Sequence, residues 1–551
     1  MRLTALLKSS GIPQGLADPE ITSLCYDSRQ AEKGCLFFAL PGNNHDGAAF
    51  AAQAAEKGAA AIVAEKSLPQ NDCPLVIVSN ARQAMADIAS AFYSHPSLSL
   101  KTVGITGTNG KTTTAFLVKH LLDAAFMRCG LVGTVKYMVG DNEVTAPHTT
   151  PESIDLQSLM GDMIDSGSRA VAMEVSSHAL VQDRVRAVEF DAAVFTNLTQ
   201  DHLDYHGSMD AYYEAKALLF ESLGHQKNKK ARAIINADDR FGQKLVDQFS
   251  KKIKILTIGR GVHADYRATS IRYDLNGTTF ALEARGKSYL VRLPLIGLFN
   301  VYNAMGAIAA ANACGVDLRN SIAALASAPQ VPGRLERVPA KRHFQVFVDY
   351  AHTEDALRNV LRTLQELKPS RLITVFGCGG DRDRAKRPLM AAAAEELSDW
   401  VIMTSDNPRS ENPDSILKEM KTGLRGKSHE IIPDRASAIH HAIQLAEAGD
   451  IVLIAGKGHE KYQEFSDRKV AFDDVAIATR AISEKKRGGH KKWIEFPFLK
   501  SPKWQEPKFS KAHRRCSCPR SARTRERSNP AISMLLFGVK ILMVTPTLLM
   551  P

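Results

Sequence analysis

Short apolar runs, each closed by a polar stretch rich in Gly, Asn or Asp, alternate along most of this chain with segments whose apolar positions recur every three or four residues. Such runs, bounded by turn formers, predict buried strands, and the recurring positions predict helices laid against them. The expected class is therefore α/β, with mainly parallel sheets covered on both faces. Residues 1–98 carry AIVAE near Ile62 and LVIVS near Val76, with an Ala-rich helix predicted over 46–57, and read as a small α/β domain. The stretch 94–100, which contains Ser and Pro, reads as a linker. A second series over 99–331 has strands in VGIT, AVAMEVSS, AAVFTNLT and ARAIINADD. After GRLERV a third series, with FQVFVDYAH, RLITVFGCGG, DWVIMTSDNPR and DIVLIAGKGHE, extends over 332–487. Residues 488–551 lack this periodicity and read as an unstructured extension.

Parallel sheets collect ligands at the carboxyl ends of their strands, and those ends are polar here. Glu174 and residues 176–178 follow one strand, Asn197 and residues 201–202 the next, and residues 236–239 a third. The strongest local signal is VGITGTNGKTTTAFLVKHLL at 103–122, a strand, a glycine turn and a helix. Gly107 and Gly110 permit backbone angles that let successive N–H groups converge on an anion at the helix N-terminus. Lys111 adds a positive charge and Thr112 a hydroxyl suited to a phosphate-bound Mg²⁺, while Leu117, Leu121 and Ala124 form the apolar face expected to dock on the sheet. The pattern is shorter than the full phosphate loop, because Ile105 stands where that loop has its first glycine. YDSRQ at 26–30 and PGNNHDG at 41–47 are turn-forming clusters.

Composition changes the picture in one respect. The chain of 551 residues carries a net charge of +12, which invites a nucleic-acid reading. Residues 485–551, however, hold 16 Lys plus Arg against 3 Asp plus Glu, leaving 55 basic and 56 acidic residues in 1–484. The body is neutral, so a nucleic-acid-binding NTPase is disfavoured and no nucleic-acid partner is expected. Cysteines at 25, 35, 73, 129, 314, 378, 516 and 518 form no CxxC pair and read as reduced thiols of a cytoplasmic protein. The apolar run at 3–7 is too short for a signal-peptide core. Residues 531–550 are apolar, but Lys540 and Pro546 interrupt them, which disfavours a membrane span. Deleting 488–551 should leave kcat/KM unchanged within about twofold and raise solubility, since the charge excess leaves with the tail. A truncated protein that folds but has lost its activity would assign the extension a function.

Taken together, TGTNGKTT, HTTP at 148–151, MEVSSHALVQDRV at 173–185, TNLTQDHLDYHG at 196–207, YYEAKALLF at 212–220, GLFNVYNA, GRLE, VDYAHTEDAL, GCGGDRD, DNPRSENP and AGKGHE resemble the Mur ligases, over about residues 1–485. The resemblance implies three domains, namely an N-terminal nucleotide-sugar domain, a central P-loop-type ATP domain and a Rossmann-like C-terminal domain. It also implies an enzyme that uses ATP and Mg²⁺ to add meso-2,6-diaminopimelate to UDP-MurNAc-L-Ala-D-Glu through an acyl phosphate. A monomer is expected, although no feature of the sequence reveals the oligomeric state. Carried onto this sequence, it implies that Gly107, Thr108, Asn109, Gly110, Lys111 and Thr112 hold the phosphates. Asn300 and Asn303 would meet the adenine end, with Arg334 and Asp349 closing from the third domain. Thr112, Glu174, His202 and a carbamylated Lys216 would face Mg²⁺, and Lys111, Glu174, His202 and Lys216 would serve catalysis. Read without the family, Lys216 is a solvated helix lysine. The nucleotide sugar would meet Ser28, Thr149, Thr150, Ser176, Gln182 and Arg184. The amino acid would meet Arg382, Asp406, Asn407, Pro408, Arg409, Gly456 and Glu460. A folylpolyglutamate synthetase-like ligase is the rival enzyme reading, and the DSR-bearing first domain and the DNPR loop argue against it.

Overall fold

A computed structural model describes residues 1–9, 17–42, 46–68, 73–340, 342–426 and 428–485. The basic extension, its apolar stretch at 531–550 and residues 43–45 of the PGNNHDG turn lie outside the described residues.

The apolar runs form strands buried along almost their whole length, with Ala61–Ala64, Ala170–Glu174, Ala192–Phe195, Leu372–Phe376 and Ile451–Ala455 covered at every position. They assemble into three main sheets. In the first, Ser23–Cys25, Cys35–Phe38, Ala61–Ala64 and Leu75–Ile77 lie side by side in that order, all parallel. The second has a parallel centre in the order Lys254–Gly259, Arg232–Asn236, Ala192–Phe195, Lys101–Thr106, Ala170–Glu174, Cys129–Val132. In the third, Gln345–Asp349, Ile451–Ala455, Leu372–Phe376, Trp400–Met403 and His429–Ile431 are parallel, and Glu336–Val338 is an antiparallel edge. This order puts the glycine-loop strand between two others whose polar ends were expected to face ligand, so three loops meet at one place.

Helix Lys111–Ala124 packs on this sheet beside Leu298–Ala313, an Ala-rich helix buried over most of its length. Local capping explains where several helices begin. Ser208, Asp239, Thr353 and Asp434 each accept a backbone N–H of the first turn, satisfying donors that no carbonyl one turn back can reach.

The sheet of the second series is mainly parallel, as expected, and carries antiparallel pairs at its edges, where Tyr266–Asp274, Gly277–Ala284 and Lys287–Leu293 form one meander and Lys136–Val139 with Asn142–Thr145 another. Four expectations need correction. The stretch 94–100 is no free linker: it contains the helical turn Pro96–Ser99, whose Pro96 and Ser97 are buried. The helix over 46–57 divides into a 3-10 turn, Gly47–Phe50, and an α-helix, Ala51–Glu56. Ala124 is exposed, and Val118 and Leu122 join Leu117 and Leu121 on the buried face. Lys216 is only 1% exposed, because its helix, Met209–His225, turns that face onto the sheet. Among the described residues, no helix is long and apolar enough to cross a membrane.

Candidate active site

Gly107 and Gly110 have φ of 143° and 88°, and a Cβ on either would collide, with Thr196 Oγ1 at 1.9 Å and with Asn303 Oδ1 at 2.4 Å. Glycine is therefore required by conformation and by space at both positions. The N–H groups of Thr108 and Asn109 are already spent, on Asn197 O and Asn197 Oδ1, each at 2.9 Å. That leaves the first turn of helix Lys111–Ala124, with its unpaired N–H groups and positive dipole end, to face an anion. Lys111 Nζ folds back onto the carbonyls of Gly107 and Thr108 at 3.0 and 2.8 Å.

Beneath the loop, Lys216 Nζ donates to the same Gly107 oxygen at 2.9 Å and lies 4.5 Å above the Tyr212 ring. Two lysine amines thus flank one carbonyl. Burial, reinforced by the Lys111 charge and only partly opposed by Asp201, holds the Lys216 pKa well below that of ordinary lysine. Lys111 is lowered too, by burial, against the pull of Glu174 and Asp201.

Glu174 ends its strand almost fully buried and collects three donors. Thr112 Oγ1 lies 3.0 Å from Oε2, Thr134 Oγ1 3.0 Å from Oε2, and Thr134 N 2.8 Å from Oε1. His202 adopts a left-handed φ of 54° and stands at the rim, its Nε2 3.5 Å from Asp201 Oδ2. Burial outweighs Asp201 and, with Lys111 and Lys216, lowers the His202 pKa to about 4, so its ring is neutral at pH 7. The four residues expected around Mg²⁺ therefore form a contacting pair, Thr112 and Glu174, with His202 at the rim and Lys216 under the loop. Among the described residues, no three His, Cys, Asp or Glu side chains form a cluster able to hold a metal by themselves. The hard oxygens of Thr112, Glu174 and Asp201 and a neutral imidazole are nonetheless a donor set that suits Mg²⁺ beside a phosphate.

The third sheet closes this cleft, a cavity of about 410 Å³ lined by both sets of strand ends. Arg334 reaches across, donating from Nη2 to Thr112 Oγ1 at 3.1 Å with its guanidinium 4.5 Å over the Tyr350 ring. Asp355 accepts from Asn109 Nδ2 at 3.1 Å. Asp349 lines the cleft, yet its two oxygens accept from Leu335 N and Ala351 N at 2.6 and 2.7 Å, so it shapes the turn that bears Arg334. Asn303 also lines the cleft and bonds Thr114. Asn300 lies one layer behind, accepting from Asn303 at 3.0 Å and donating to Ile296 O at 2.9 Å.

Thr149 faces the cleft beside Thr134, their hydroxyls 3.1 Å apart. Thr150 turns inward, donating to Glu174 O and accepting from Ser176 N, and Ser176 caps the following turn. Arg184 bonds Thr150 O, Gln182 Oε1 and Glu152, and Glu152 also receives Arg82 from the first sheet's helix Ala81–Phe92. Ser28 is buried and donates to Gln53 at 2.7 Å. The neighbouring Tyr26 reaches Asp155 at 2.6 Å.

On the third sheet, Asp406, Asn407 and Pro408 are buried at a strand end, and Gly456, with φ of 115°, leaves room for Asp406 Oδ2. Asn407 and the fully buried Lys457 both bond Glu460. Arg409 and Arg382 flank Gly379, where a Cβ would lie 3.0 Å from Arg409 Nη1 and 3.9 Å from Arg382 Cγ. Arg382 is otherwise exposed.

Several residues, three lining the cleft and Lys457 buried beside Asn407 and Glu460, were not singled out from the sequence. Thr134 follows the strand Cys129–Val132, and the strand-end rule reaches it once that strand is placed. His352, Asp355 and Lys457 sit inside VDYAHTEDAL and AGKGHE, motifs from which only Asp349, Gly456 and Glu460 had been taken.

Glycine-loop strand, buried glutamate and bridging arginine define a phosphate-handling α/β enzyme, and comparisons with known proteins agree. Residues 105–311 match the Mur ligase middle domain, 333–458 the Mur ligase glutamate ligase domain and 20–93 the Mur ligase family catalytic domain. The chain is 47% identical over 475 residues to UDP-N-acetylmuramoyl-L-alanyl-D-glutamate--2,6-diaminopimelate ligase of Geobacillus kaustophilus, covering 85% of this chain and 96% of that one. It is 45% identical over 489 residues to the protein of the same name from Solibacter usitatus, covering 88% and 98%. A solved structure bearing that enzyme name matches with a TM-score of 0.66 at 37% identity, covering 88% of this chain and 99% of that one. The chain belongs to the Mur ligase family.

Proposed function

We propose that this chain is an ATP-dependent ligase that joins meso-2,6-diaminopimelate to UDP-MurNAc-L-Ala-D-Glu, acting as a monomer in the cytoplasm, where both nucleotides are available. The observation that carries the reading is the chain of contacts from Arg334 through Thr112 to Glu174, which sets a third-sheet cation against the glycine loop in one cleft.

Amide formation from a carboxylate and an amine is uphill in water. ATP makes it feasible when a carboxylate oxygen attacks the γ-phosphorus, releasing ADP and leaving an acyl phosphate. The amine then attacks the acyl carbon, and phosphate departs. The site must bring two anions together without repulsion. The first-turn N–H groups and Lys111 hold the phosphates from one side and Arg334 approaches from the other. Thr112, Glu174 and His202 would hold Mg²⁺, which supplies further neutralisation of phosphate charge. A carbamate on Lys216 would replace the repulsion between two amines with attraction to Lys111. Thr149, Arg184 and the Ser28 turn receive the nucleotide sugar, and the rim from Asp406 to Arg409 receives the amino acid. The first sheet, which a folate-extending ligase would not need, favours the nucleotide sugar. The test is sustained ADP release over many turnovers, expected only when the dipeptide nucleotide and meso-diaminopimelate are both present.

Arg409 is the residue assigned to the distal carboxylate that meso-diaminopimelate has and lysine lacks. A guanidinium left without that carboxylate loses a charge-assisted pair while staying partly desolvated. Arg409→Ala should therefore lower kcat/KM for meso-diaminopimelate by on the order of a hundredfold, mainly through KM, leave KM for ATP unchanged, and narrow the gap to lysine. An unchanged ratio between the two amino acids would remove Arg409 from substrate selection.

A further inference from the structure

Arg409 is held in an unusual way. Its φ is 51°, a left-handed conformation that costs a non-glycine residue free energy and persists only when its surroundings fix it. Its N–H donates to Glu464 O at 3.0 Å, and Arg409 forms an isolated bridge with Phe465. Glu464 N donates in turn to Asn407 Oδ1 at 3.0 Å. The DNPR loop and the strand Tyr462–Glu464 are thus tied together by a main-chain bond and by a bond to the Asn407 side chain at the point where Arg409 projects.

The side chain repeats this link. Arg409 Nε donates to Glu464 Oε2 at 3.2 Å and Nη1 to Gly380 O at 2.7 Å, while Nη2 has no partner among the described residues. A guanidinium is a rigid planar fork, so fixing Nε and one Nη1 hydrogen fixes the whole plane. The edge left free is the one formed by Nη1 and Nη2, which can bind a carboxylate through two parallel bonds. Glu464 also has a second cation, Lys469 Nζ at 3.3 Å, so its charge is not matched by Arg409 alone.

We propose that Glu464 is the positioning residue of the amino-acid site: it grips Arg409 by Nε and presents the Nη edge to the substrate's distal carboxylate, so that this carboxylate docks without displacing it. The proposal rests on the assignment of Arg409 to that carboxylate. Glu464 itself need not touch the substrate, and its effect is expressed through Arg409.

The test is a double-mutant cycle with ATP, the dipeptide nucleotide and either meso-diaminopimelate or L-lysine. Glu464→Ala should raise KM for meso-diaminopimelate by about tenfold, the scale of one charge-assisted hydrogen bond, with kcat and KM for ATP unchanged. Glu464→Gln should recover most of the loss, because its amide oxygen accepts the same Nε–H. In the Arg409→Ala background, Glu464→Ala should add nothing, since there is no guanidinium left to orient. Equal effects of Ala and Gln, additive effects with Arg409→Ala, or a Glu464→Ala variant with unchanged KM would each overturn the proposal while leaving Arg409 in place. If Arg409→Ala itself leaves KM unchanged, the assignment beneath the proposal fails and the proposal falls with it.

Discussion

Lys111→Ala should abolish ligation, lowering kcat/KM by about a thousandfold or more, and should leave the fold intact. The expected loss is large because Lys111 is the one full positive charge carried by the glycine loop, and its neighbours Glu174 and Asp201 would otherwise oppose an incoming phosphate. The expected cost in stability is small. Among the described residues, Lys111 Nζ bonds only the loop carbonyls of Gly107 and Thr108, and burial already lowers its pKa, so folding pays to bring that charge in. Circular dichroism and a thermal melt should match the wild type while ADP release disappears. Normal ligase activity in this variant would sink the nucleotide assignment.

Lys216→Ala should also lose activity strongly, by about a hundredfold or more, and a short carboxylate such as acetate should restore part of it. The argument is electrostatic. Lys216 and Lys111 share one carbonyl oxygen, at 2.9 and 3.0 Å, an arrangement that two ammonium groups would resist. Burial and the Lys111 charge lower the Lys216 pKa well below that of ordinary lysine, which favours the neutral amine, the form that adds to carbon dioxide. Once carbamylated, the side chain would carry a negative charge beside Lys111 and a pair of hard oxygen donors near the phosphates. Acetate in the cavity left by the Ala substitution would supply the same oxygens. An Ala variant of wild-type activity would make Lys216 a structural lysine, and loss without rescue by any small carboxylate would remove the carbamate from the account.

What could be read from the sequence was what is encoded locally. The glycine loop announces itself through residue types that only its own backbone requires, and the φ values of Gly107 and Gly110 bear that out. The buried central strands and their polar ends were equally legible, because runs such as Ala192–Phe195, Leu372–Phe376 and Ile451–Ala455 are almost wholly apolar and buried at every position. The position of Lys216 was not legible without the resemblance. On its helix it looks like any lysine, and its burial depends on which face of Met209–His225 meets the sheet. Asn300 and Asn303 share one helix and one motif, yet only Asn303 reaches the cleft, a distinction set by the packing of that helix beside Lys111–Ala124. The pairing of Arg409 with Glu464 joins residues 55 positions apart, and nothing near either one signals it.

The measurement that bears most directly on the whole account is a single turnover with UDP-MurNAc-L-Ala-D-Glu carrying ¹⁸O in the reacting glutamyl carboxylate, supplied with ATP, Mg²⁺ and meso-diaminopimelate. If the carboxylate attacks the γ-phosphorus and the amine then displaces phosphate, the products are ADP, the diaminopimelyl tripeptide nucleotide and inorganic phosphate containing one ¹⁸O atom. Absence of the tripeptide product would contradict the assigned reaction, and tripeptide formed with unlabelled phosphate would contradict the acyl-phosphate route.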